Sequence, residues 1–235
     1  MIKKDTTIRW GAICAIASGI FFLIPLIFYF YLLPRAGSSA THAQDPASFL
    51  PWMAVHGNVR AALWWMTSLA LLILLFGVPS ALRKKLENFN PAAARVTELA
   101  GILGAFTIVV ASLILAAGEL PLAQAYVKAG EEARPAIVAI YEWQRLTTAL
   151  LFDVLGFFLI GAWIFGSNVI SLRSGTLPKG ISWFGLIIGL LNFCLAIGYV
   201  AKIKWLGEMG LGALGFLAIP VWLIWLGIVL WKTGK

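Results

Sequence analysis

The chain has 235 residues, of which 61% are apolar and only 12% charged, about half the roughly 25% charge of a soluble domain. So few polar residues cannot cover the outside of a water-soluble fold, so the chain needs the bilayer as an apolar solvent. The net charge of +8 lies in short stretches between apolar runs and forms no basic patch interleaved with aromatics. That excludes nucleic acid as a partner and fits retention of Lys and Arg on the cytoplasmic side during insertion.

In lipid each spanning segment must close its own backbone hydrogen bonds, so apolar runs near 20 residues read as helices. The first runs from about Trp10 to Leu33. It is too long for the apolar core of a secretion signal and is expected to be a span. The second runs from about Ala61 to Leu82 and the third from about Val96 to Ala117. The fourth covers about Thr147 to Ile170, the fifth Ile181 to Ala201 and the sixth Met209 to Trp231. The prediction is an all-α, polytopic membrane helix bundle of about six transmembrane helices, with residues 1–235 forming one domain.

Lys and Arg set the orientation. Eleven fall on the side of both termini: Lys3, Lys4, Arg9, Arg83, Lys84, Lys85, Arg95, Arg173, Lys179, Lys232 and Lys235. Seven fall on the other: Arg35, Arg60, Lys128, Arg134, Arg145, Lys202 and Lys204. The expectation is a multi-pass protein of the bacterial inner (plasma) membrane with N- and C-termini cytoplasmic. Two outer loops read as long, roughly Pro34 to Arg60 and Gly118 to Leu146. In the first, Phe49-Leu50-Pro51-Trp52-Met53 suits a short helix lying in the interface. In the second, Ala136 to Gln144 has helical character, so the fourth helix is expected to begin well outside the hydrocarbon.

Asp153 stands out chemically, because a carboxylate inside a span is costly unless paired or protonated and so often marks function. Its candidate partners are Arg145, two turns earlier, and Arg60 at the outer start of the second span, with Glu119 at similar depth. This cluster reads either as a proton or substrate site or as a salt bridge tying helices together. Asn192 shares a face of the fifth span with Gly185, Gly189 and Ala196, a spacing that lets another backbone approach and an amide bond across helices. Gly11, Ala15 and Gly19 form a similar stripe on the first helix, and Gly101 with Ala105 on the third. These stripes read as packing seams within the chain, with self-association or ligand contact as alternatives.

Cys14 and Cys194 fall at different depths and read as small buried residues rather than a disulfide. His42 and His56, both in the first outer loop, read as surface histidines. Neither a haem nor a metal site is expected, and no cofactor. Hydrolase elbows, zinc-protease helices, phosphate-binding loops and redox Cys pairs are all missing from the sequence.

The inner turn Leu172-Arg173-Ser174-Gly175-Thr176-Leu177-Pro178-Lys179 leads into Ile181-Ser182-Trp183-Phe184-Gly185. A closing Val221-Trp222-Leu223-Ile224-Trp225-Leu226-Gly227 follows. Together with the small-residue first helix and Arg60 opening the second, this layout resembles the bacterial DUF4386 family of multi-spanning proteins. The resemblance implies an inner-membrane protein and carries no catalytic residues. Unaided, Gly175 is expected to supply the positive φ that ends one helix, and Pro178 to start the next. Three roles remain open: a non-enzymatic accessory or interaction subunit of a membrane complex, a small transporter or carrier with Asp153 at its site, and an enzyme on a lipid-like substrate using the outer carboxylates. The expected partners are the lipid bilayer and, beyond it, other membrane subunits or a second copy.

Overall fold

A computed structural model describes residues 5–37, 45–203, 205–206 and 211–233. All regular structure among them is helical: α1 Thr6–Ile27, α2 Leu33–Arg35, α3 Pro46–Leu75, α4 Val78–Leu86, α5 Pro91–Lys128, α6 Arg134–Ala149, α7 Phe157–Ser174, α8 Lys179–Val200 and α9 Leu211–Thr233. π-helical stretches at Phe28–Leu32 and Leu150–Gly156 join α1 to α2 and α6 to α7 without a break. Six continuous helical segments are long and apolar enough to cross a membrane: Thr6–Arg35, Pro46–Leu86, Pro91–Lys128, Arg134–Ser174, Lys179–Val200 and Leu214–Thr233. His42, Lys204, Glu208 and Met209 lie outside the described residues.

The six apolar runs are therefore present, but four extend beyond the predicted ends. Pro46 opens α3 behind the Asp45 N-cap, whose side chain accepts from Ala47 N–H at 3.1 Å. The Phe49–Met53 patch is thus the first turns of the second span, not a separate interfacial helix. An in-line helix satisfies its carbonyls, which a detached one would leave open. The second outer loop shrinks likewise to residues 129–133, because α5 runs on through Pro121 to Lys128 and α6 starts at Arg134.

The spans form a closed ring. α1 packs on α3, α3 on α5, α5 on α7, α7 on α8, α8 on α9, and α9 returns to α1. Lipid is as apolar as Leu, so burying large aliphatic groups gives no drive for helices to associate; close backbone packing does. The first helix shows the result: Ala12, Ala15, Gly19 and Phe22 face inward, whereas Trp10, Ile13, Ile20 and Leu23 are exposed to lipid. A Cβ on Gly11 would lie 2.1 Å from the Cβ of Ala81, and one on Gly19 would lie 2.9 Å from the Pro220 carbonyl. Gly185, Gly189 and Gly101 are equally occupied, against Asn168, Phe165 and Trp163. The small-residue stripes are thus filled by this chain's own helices. At the centre of the ring lies an apolar cavity of about 20 Å³, walled by residues such as Phe22, Leu71, Ile108, Phe157 and Trp163.

The turn between α7 and α8 follows its sequence. Gly175 adopts φ +67° and donates to Ser171 O at 2.8 Å, and Pro178 caps α8. The Ser171 hydroxyl lies 2.9 Å from that of Ser182 and accepts from Leu177 N–H, closing the hairpin.

Candidate functional site

Arg60 lies in the fourth turn of α3, and Glu119 in the outer third of α5. The antiparallel packing of these helices brings the two side chains together as a fork. Arg60 Nε donates to Glu119 Oε2 at 2.8 Å and Nη2 to Oε1 at 3.1 Å. Trp64, one turn beyond Arg60, adds a third donor, Nε1 to Oε2 at 3.1 Å. The carboxylate is sealed, at 2% exposure, and the guanidinium nearly so at 14%. Paired, planar donors of this kind satisfy a buried carboxylate as a point cation cannot. The guanidinium carbon also lies 5.1 Å from the Phe49 ring centre and 5.4 Å from that of Trp64.

An aromatic cap covers this pair. Phe49 packs on Tyr141 with ring centres 5.5 Å apart and on Trp52 at 5.8 Å, and Leu50, Met53 and Ala123 complete a buried outer cluster. Trp52 Nε1 donates to Ala36 O at 2.6 Å, tying the cap to the end of the first span. His56 stacks on Trp52, with Nδ1 3.2 Å from the Trp52 carbonyl. Gln144 fixes α6 to α5 by donating to Ile114 O at 3.0 Å.

Of the predicted cluster, Arg60 and Glu119 meet. Arg145 is exposed on α6. Asp153 is half-buried on the π-helical stretch Leu150–Gly156, next to Phe152, whose ring packs edge-on against Trp64 at 5.8 Å. Asn192 is fully buried on the α7–α8 seam, but its amide donates back to Ile188 O at 2.8 Å rather than across the interface. Gly161 of α7 lies opposite, where an added Cβ would sit 3.2 Å from that of Asn192 and 3.0 Å from the Gly189 carbonyl, so the two backbones approach closely there. Cys14 is buried beside Gly77, Cys194 is half-buried, and both are free.

Two features escaped the sequence reading. One is Trp64, although its spacing of four from Arg60 places both on one helix face. The other is a matching ion pair at the opposite end of the same two spans, between α4 and α5. Glu98, 9% exposed on α5, accepts from Arg83 Nη1 at 3.2 Å and from the Ser80 hydroxyl at 2.8 Å. Glu98 and Glu119 are 21 residues apart on one helix, or about 32 Å at 1.5 Å per residue. That matches the roughly 30 Å of bilayer hydrocarbon, so each pair sits at one membrane boundary. Among the described residues no group of three or more His, Cys, Asp or Glu is placed to hold a metal ion.

Residues 11–227 match the model of a family described as a domain of unknown function, DUF4386. No curated protein and no solved structure matches the chain.

Proposed function

The chain belongs to the DUF4386 family, whose description names no activity, and we propose from its geometry that it is a non-catalytic subunit that associates with other membrane proteins. One observation carries this reading. Both buried glutamates of the third span are bound by arginines of the second, one at each membrane boundary, so the charge in the bundle is tied up in joining helices. A carboxylate already holding three donors has few acceptor positions left for a substrate. The small-residue seams are filled from within, which leaves the outer cap as the surface for a partner. There Trp143 is 70% exposed beside Glu142 on α6. We further place the chain in the bacterial inner membrane with both termini cytoplasmic. The ends of α4 and α7 and the starts of α1, α5 and α8 share one face, which carries Arg9, Lys84, Lys85, Arg95, Arg173 and Lys179. Purification from native membranes in mild detergent, followed by mass spectrometry, tests the role. A partner at fixed stoichiometry is expected, and a chain that always emerges alone refutes it.

A second reading, a small carrier, is supported by the backbone at Asp153. π-helical turns widen the helix and recur at functional sites, and this one carries Asp153. On that reading Asp153→Asn abolishes transport coupling and leaves the thermal midpoint unchanged. A variant that loses its fold instead makes Asp153 structural.

A further inference from the structure

The face carrying the basic residues holds an open cleft of about 680 Å³. The start of α1, the end of α4 with its following turn, and the α7–α8 turn bound it. Its polar lining is Asp5, Lys84, Lys85, Glu87, Asn88, Ser174 and Thr176. Three span ends meet there, so the cleft lies at the depth of the lipid phosphates.

Its charges alternate in sign. Lys84 Nζ is 2.9 Å from Asp5 Oδ2, Glu87 pairs with Arg83 at 3.3 Å, and Lys85 forms no ion pair among the described residues. The hydroxyls of Ser174 and Thr176 are hydrogen-bonded to each other at the rim. A simple anion would meet two carboxylates as well as the lysines. A zwitterion with a phosphate and an ammonium a short linker apart would meet both signs. The form of the ammonium follows from the walls. A quaternary ammonium has no N–H donors and is recognised by aromatic cages, whereas the cleft offers carboxylates and one aromatic, Phe89, 53% exposed. Carboxylates are acceptors, and a primary ammonium has three donors for them.

We propose that this cleft binds the headgroup of a phosphatidylethanolamine-type lipid. Lys85 takes the phosphate, and Glu87, with Asp5, takes the ammonium. Phe89 and Ile8 meet the start of the acyl chains.

The test is native mass spectrometry of the full chain, exchanged into micelles carrying equimolar phosphatidylethanolamine, phosphatidylcholine and phosphatidylglycerol. Phosphatidylethanolamine is expected to be retained about fivefold over the other two, the scale of one half-exposed charge pair. Glu87→Gln should bring it down to the phosphatidylcholine level, and Lys85→Gln should lower its retention outright. Phosphatidylglycerol retained above phosphatidylethanolamine would mean that only the phosphate is read and would overturn the proposal. So would equal retention of all three, or a preference that survives both variants. Displacement by soluble phosphorylethanolamine at concentrations near that of the lipid would identify a free zwitterion as the occupant and overturn the lipid assignment. Should Glu87→Gln lower the thermal midpoint through its contact with Arg83, Lys85→Gln alone decides.

Discussion

Arg60→Met tests the outer ion pair directly. The variant leaves Glu119, 2% exposed, with Trp64 Nε1 as its single remaining donor. Removing one partner of a buried pair costs about 3–5 kcal/mol. Arg60 is 14% exposed and Trp64 still donates, which points to the lower end, about 3 kcal/mol. Glu119→Gln should cost less, about 1–2 kcal/mol, because a neutral amide oxygen still accepts and Arg60 can turn toward water. The double variant Arg60→Met/Glu119→Leu buries no unpaired charge and should recover most of the loss, short of about 1 kcal/mol for Trp64's lost acceptor. Read as thermal midpoints in detergent, the first change is a drop of about 6–12 °C, at roughly 2–4 °C per kcal/mol for a chain of this length. Two results would refute the reasoning: an Arg60→Met midpoint equal to that of the parent, or a double variant as unstable as the sum of its parts, since uncoupled residues do not form a lock.

Three further outcomes are expected. In Gly189→Leu a Cβ would sit 2.8 Å from the Phe165 backbone nitrogen; α7 and α8 must separate, costing about 1–3 kcal/mol, which lost trypsin resistance at Arg173 and Lys179, either side of the turn, would report. Gly175→Val forces a β-branched residue to φ +67°, at about 1–2 kcal/mol, and Gly175→Asn should restore most of it, measured by the same midpoints. The Lys84 ammonium bound to Asp5, with helix N–H groups from Ile8 and Thr7, holds the Asp5 carboxyl below its ordinary pKa. The stabilisation from Asp5 is therefore present above the ordinary carboxylate range and is lost as pH falls through the lowered value. The midpoint gap between the parent and Asp5→Asn should accordingly close on acidification, and a gap that widens toward acid would reverse the sign of the argument.

The spans and the Gly175 turn were legible because each follows from a local rule. A run of apolar residues must be helical in lipid, and a positive φ selects glycine. The extension of the fourth span was legible too, from the helical character of Ala136 to Gln144. Those of the second and third were not: Pro46 and Pro91 start helices in polar stretches where hydropathy falls, and what holds the outer turns is tertiary, such as Phe49 on Tyr141. Arg60 and Glu119 were placed together by depth alone, and Asn192 was placed on its packing seam by spacing, but the amide's bond back to Ile188 depends on the rotamer there. Glu98 went unnoticed because a carboxylate at a span end looks solvated until Ser80 and Arg83 are seen to enclose it.

The spacing of the two arginine–glutamate pairs also works as a ruler for bilayer thickness. On the basic face Arg83, Lys84 and Arg173 hold the boundary in place. Beyond the outer pair the surface stays partly apolar, with Val55, Val127, Ile140 and Trp143 all more than half exposed. A bilayer thicker than the ruler therefore meets a ready apolar collar and rises onto it without tilting the helices. A thinner one must bend inward to reach the Arg60 boundary, at fractions of a kcal/mol per Å of mismatch. The protein is thus built to favour the thicker of two membranes, and its asymmetry puts the whole adjustment in one leaflet.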